Sequence, residues 1–241
     1  MEVHHPHHPT HKKKWSEYII EFVMLFTAVT LGFIAENIRE HQAEEKKSKE
    51  LLEVVARDFE TDIKNLEITK EAFFLKDKQC DTLLEYIKLP ASKIPEKKYY
   101  NQLFYYNVFW MFNPTEKSRI DAESKGLFFK KENAELATYV AKYNFFLKDY
   151  KALDDLMITQ AKICLYEIIP HISDPNVYPD PKTREAVSPN SIGVHNVDPA
   201  SILRLKYLVG NTKDEVKYFQ LDIDSLTYYA NKAIAVIEKS K

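Results

Sequence analysis

The sequence predicts an all-α protein: an N-terminal transmembrane helix that continues into a charged helical stalk and then an antiparallel helical bundle. Three observations carry that prediction. Ile19 to Ala35 contains a single ionisable residue, Glu21. Beyond residue 50, apolar residues recur every three or four positions, the period of an amphipathic helix. Only 4 of the 241 residues are Gly, too few for the tight turns of an all-β fold or for phosphate-cradling loops. Hydrophobic residues at 45% exclude global disorder. A net charge of -2 gives no basic field for nucleic acid. Two Cys rule out a disulfide scaffold and an all-Cys zinc site.

Residues 1–14, MEVHHPHHPTHKKK, hold five of the eight His. Such a segment cannot pack a core and reads as a disordered His/Lys-rich tail. Imidazoles at this density bind Zn, Ni or Cu. Nothing in the spacing fixes a coordination geometry, so no metal site and no cofactor are assigned.

Residues 15–36 read as a transmembrane signal-anchor. As a helix they span about 32 Å at roughly 1.5 Å per residue, which matches a bilayer core. The run is apolar on every face, unlike an ordinary amphipathic helix. Trp15 and Tyr18, with Lys12, Lys13 and Lys14, form the interface anchors. Phe33 precedes Ala35 where a cleavage site needs a small residue, so the segment reads as uncleaved. The three Lys place the N-terminus in the cytoplasm and the rest in the periplasm, giving a single pass through the inner membrane. Glu21 sits about one turn inside the interface. It either snorkels toward Lys14, pairs at a helix contact, or belongs to an ion path.

Residues 37–50 lack Gly and Pro and place Glu and Lys at helical spacings, as a solvated stalk helix does. Residues 51–241 form the bundle domain. A helix over 36–88 has the stripe Leu52, Val55, Phe59, Ile63, Leu66, Phe73, Cys80, Leu83 and Ile87, without a strict heptad, and Pro90 and Pro95 end it. Lys97 to Asn113, KKYYNQLFYYNVFWMFN, reads as a bundle helix. Its residues Tyr99, Tyr100, Phe104, Tyr105, Tyr106, Phe109 and Trp110 are either core or the lining of an aromatic ligand pocket. A polar helix over Thr115–Lys125 stops at Gly126. Asn133 caps a helix over 133–169, broken by Pro170. The Pro-rich loop 170–199 follows. Asp198 and Pro199 start a helix over 200–209 that Gly210 ends. Thr212 and Glu215 form a capping box for the last helix, 212–238.

No constellation carries chemistry. His41, His171 and His195 have no metal-ligand spacing, Asp154 and Asp155 read as solvated, and no nucleophile or nucleotide motif occurs. Cys80 and Cys164 lie on apolar stripes, as buried thiols or as a disulfide pair. The chain thus reads as non-enzymatic. Its partners are membrane lipid and a protein partner or a second copy. Function is a membrane-anchored helical module that binds a protein or serves as accessory subunit of an envelope complex. An extracytoplasmic small-ligand sensor and an ion-motive accessory subunit using Glu21 are the alternatives.

Three stretches carry a resemblance: Lys12-Lys13-Lys14-Trp15-x-Glu17-Tyr18, the helix exit GFIAENIREH (Gly32 to His41), and Ser124-Lys125-Gly126-Leu127 through Tyr143. On these the chain resembles the uncharacterised single-pass inner-membrane proteins common in the Bacteroidetes group. The resemblance implies membrane anchoring and a helical extracytoplasmic domain, and no catalytic residues.

Overall fold

The computed structural model describes residues 14–174, 177–180, 182–183, 186–187 and 198–240. The His-rich tail, Lys12, Lys13 and His195 lie outside the described residues. The chain is all-α. Helix α1 covers Trp15–Lys88, α2 Glu96–Tyr106, α3 Lys117–Ser124, α4 Ala134–Ile163, α5 Ile169–Ile172 and α6 Pro199–Lys239. A two-residue antiparallel pair, Tyr178–Pro179 with Ala186–Val187, stands within the Pro-rich loop. The chain divides into two units, residues 1–50 and 51–241.

In the first unit the helix from Trp15 is long and apolar enough to cross a membrane, with a mean hydropathy of 2.0 over its most apolar stretch. The Thr30 hydroxyl donates to the Phe26 carbonyl at 2.8 Å, which satisfies it within its own helix. Residues 37–50 are helical, with Lys49–Glu45 (3.3 Å) and Lys46–Glu50 (3.9 Å) bridging successive turns.

The second unit is built on three long helical stripes. On α1, Leu52, Phe59, Leu66, Phe73 and Cys80 are buried every seventh residue. Val55, Asp62, Thr69, Lys76 and Leu83 are buried in the companion position. The heptad that the apolar residues alone do not show therefore persists, with three of its positions polar. On α4 the buried positions are Leu136, Val140, Tyr143, Leu147, Tyr150, Met157 and Gln160. On α6 they include Leu205, Thr212, Val216, Phe219, Ile223, Leu226 and Ala230.

Cross-helix contacts give the directions. Lys70 meets Asp224 and Lys213 meets Asp81, so α6 runs antiparallel to α1. Tyr150 packs edge-on against Phe219 at 5.0 Å, and Gln160 bonds Glu215, so α6 also opposes α4. The helices α1 and α4 are parallel. Residues 89–133 make this possible by running back along the bundle. Tyr99, Tyr100, Leu103 and Tyr106 of α2 join Cys80, Leu83, Cys164 and Leu205 in one core cluster. Phe112, Ala122 and Leu127 join Phe59, Tyr143 and Phe219 in the other.

Several local expectations are corrected. Gly210 does not end a helix. It lies inside the continuous α6, and Thr212 and Glu215 face the core instead of forming a capping box. Asn133 does not cap α4; its side-chain amide donates to the Leu127 carbonyl at 2.8 Å. The aromatic helix stops at Tyr106 rather than Asn113, because Asn107 turns its amide back onto the Leu103 carbonyl at 2.8 Å and Lys76 takes the last carbonyls. Pro170 does not break the chain's helical course. A π-helical turn over Cys164–Ile168 precedes it and the helix resumes to Ile172. Three features agree with expectation. Gly126 adopts a left-handed φ of 69° just past α3. Asp198 accepts from the Ser201 amide at 2.8 Å, and Pro199 is the first residue of α6.

Candidate functional site: an aromatic-rimmed groove

The seven aromatic residues singled out in the sequence separate into two groups. Tyr99, Tyr100 and Tyr106 are fully buried core residues, and Phe104 packs against their cluster. They lie outside the lining of the groove formed by the others. Tyr105, Phe109 and Trp110 face the other way. With Ile68, Leu75 and Val108 they line a groove of about 280 Å³ between α1 and residues 105–110.

Lys76 makes the groove's floor. Its side chain is 5% exposed. The ammonium donates to the carbonyls of Tyr105 (2.9 Å), Tyr106 (2.9 Å) and Val108 (2.6 Å). It also lies 4.5 Å from the Phe109 ring centre. Three N–H donors thus meet three carbonyls at the C-terminal end of α2, where backbone donors run short. Burial pushes the Lys76 amine down to about 8, against the raising influence of Cys80 and Cys164. With its hydrogens committed, the amine holds residues 105–108 in place and is not disposed as a nucleophile or base.

The rim is apolar. Ile68 is 52% exposed, Leu75 57%, Val108 45% and Trp110 56%. Trp110 and Met111 stand on the irregular segment after α2 that Lys76 fixes. Tryptophan is enriched among the residues that dominate protein interfaces, and here it stands exposed on a fixed, mostly apolar rim.

Two buried polar networks lie elsewhere. Asp62 accepts from Arg119 Nη1 (3.0 Å), the Tyr143 hydroxyl (2.8 Å) and the Thr115 amide (2.8 Å). This ties α1, α3 and α4 together. The second runs from the Tyr106 hydroxyl to Thr212 (2.8 Å), then to Gln160 (3.1 Å) and Glu215. Burial raises the Glu215 carboxyl above its ordinary value, opposed by the bond from Gln160.

Asp154 is not simply solvated. It takes the heptad position between Leu147 and Ala161, half-buried, and burial with Asp155 beside it lifts its carboxyl to about 7. Cys80 and Cys164 are free buried thiols, each pushed up to about 12 chiefly by burial. Among the described residues no cluster of His, Cys, Asp and Glu is arranged to hold a metal ion. Trp15 and Tyr18 are exposed along the apolar helix, as are Lys14 and Glu21.

Sequence reasoning missed Lys76, Asp62 and Arg119. The available signal was phase: Asp62, Thr69 and Lys76 are seven apart and in register with Val55 and Leu83. No family model, curated protein or solved structure matches the chain.

Proposed function

We propose that the protein is a non-enzymatic, membrane-anchored helical module whose groove docks a protein partner, as an accessory subunit of an envelope complex does. The single observation that carries the reading is the exposed apolar rim of Ile68, Leu75, Val108 and Trp110 around a floor immobilised by Lys76. Its apolar and aromatic character suits a partner's side chains better than a polar substrate. The anchor is the helix of Tyr18–Ala35. The basic residues before it favour a cytoplasmic N-terminus, which places the bundle in the periplasm of a single-pass inner-membrane protein.

A photo-crosslinking amino acid at Leu75, in the full chain in native membranes, tests the docking face. One discrete adduct is expected, lost in Trp110→Ala and absent when the crosslinker is moved to exposed Tyr228. Equal, diffuse adducts from both positions would overturn the reading. Orientation is tested separately by Ser240→Cys in spheroplasts. An impermeant maleimide labels it without lysis if the bundle is periplasmic, and only after inner-membrane lysis if it is not.

A further inference from the structure

The sides of α4 and α6 that turn away from the core carry a second row of residues. On α4, Phe145, Asp149, Ala152 and Leu156 recur every three or four positions, and all four are exposed. On α6, Tyr218, Asp222, Ser225 and Tyr229 do the same, with Tyr218 exposed and the others half-buried. The two rows adjoin. Phe145 packs on Phe146 at 5.3 Å between ring centres, and Phe146 stacks on Tyr229 at 5.7 Å. One turn on from Phe145, Asp149 faces Asp222. Burial and the Asp149 charge together lift the Asp222 carboxyl to about 6. Among the described residues no Lys or Arg forms an ion pair with either carboxylate. Past Leu156 the rows open into a groove of about 840 Å³ that Ile163 and Tyr207 help to line.

An apolar strip with two uncompensated carboxylates at its middle has a definite complement. A partner that covers the strip without a cation buries two charges that repel each other, whereas an Arg or Lys placed between them satisfies both. A lipid surface is a poor fit, because anionic headgroups meet the same carboxylates. A second copy presenting this face is also a poor fit. A two-fold contact pairs a patch with itself, which brings the same two carboxylates from each side. From Phe145 to Ile163 the strip runs about 27 Å at roughly 1.5 Å per residue, the length of a helix of about five turns.

We infer that this face docks an amphipathic helix of a protein partner, its apolar stripe lying on Phe145, Leu156, Tyr218 and Tyr229 and an Arg or Lys of that stripe set between Asp149 and Asp222. The face is separate from the groove at Trp110 and does not depend on its role.

The photo-crosslinker p-benzoylphenylalanine at exposed Ala152, in the full chain in native membranes, tests the contact, with the adducted peptide sequenced by mass spectrometry. The adduct is expected on one partner segment that carries an Arg or Lys among apolar residues at helical spacing. Asp222→Lys should lower its yield at least about tenfold, because like charges then meet. Asp149→Lys, at an exposed position, should do the same, so a folding defect in one variant leaves the other as the test. Changing the partner's basic residue to Glu should lower the yield with the native chain and restore it with Asp222→Lys. An adduct to a second copy or to lipid, a partner segment without a basic residue, a yield indifferent to both variants, no restoration by the reciprocal change, or no adduct at all would overturn the inference.

Discussion

Asp154 shows how one side chain's place in a helical repeat sets its chemistry. The carboxyl occupies a core position of α4 and is protonated up to about pH 7, whereas an unfolded chain ionises it near 3.8. The folded state therefore holds the extra proton between those values, and stability falls as pH rises from about 4 to 7. Above pH 7 the penalty is complete. Asp154→Asn removes it and is expected to stabilise the protein at pH 8 by about 1–2 kcal/mol, the full shift being reduced for the group's contact with water. At pH 4 the effect should vanish. Thermal unfolding of both chains at pH 4 and pH 8 checks the sign, and a gain that is equal at both values would contradict it. Asp222, raised to about 6 by burial and by Asp149, reinforces the same trend in the parent chain.

The helices show what was legible and what was not. Apolar spacing located α1, α4 and most of α6, because burial of one face is written directly in residue type. It missed the heptad register, since Asp62, Thr69, Lys76, Asp154 and Thr212 look like interruptions until their partners are known. Half of the groove was visible as an aromatic run. The other half, Ile68 and Leu75, lies off the buried stripe of α1 and has no periodic signal. Gly210 was over-read for the opposite reason: a helix-breaking residue is tolerated where the flanking turns are well packed. Nothing lies within 4 Å of a Cβ built at Gly210, so Gly210→Ala is expected to add about 0.5–1 kcal/mol in a denaturant titration. Lys76→Met keeps the stem but removes three bonds to the end of α2. It should cost on the order of 2–3 kcal/mol. Amide hydrogen exchange should quicken over residues 96–113 while α4 and α6 stay protected. Uniform loss of protection would mean that Lys76 supports the whole bundle rather than this segment.

At the scale of the molecule, the buried thiols report on the integrity of the bundle. Cys80 and Cys164 are fully buried and their thiols ionise only near pH 12. Maleimide should leave both unmodified in the native chain and label both after denaturation. Rapid native labelling of either would contradict the packing at that end. The antiparallel course of α6 has a further consequence for biosynthesis. Phe59 and Tyr143 emerge from the ribosome well before Phe219, Leu226 and Ile237, which cover them. At 5–20 residues per second the nascent chain carries the apolar stripe of α1 incompletely covered for roughly 10–40 s. A premature stop between α4 and α6 would release two long helices with bare faces, and such products are substrates for chaperones and proteases rather than partly working proteins.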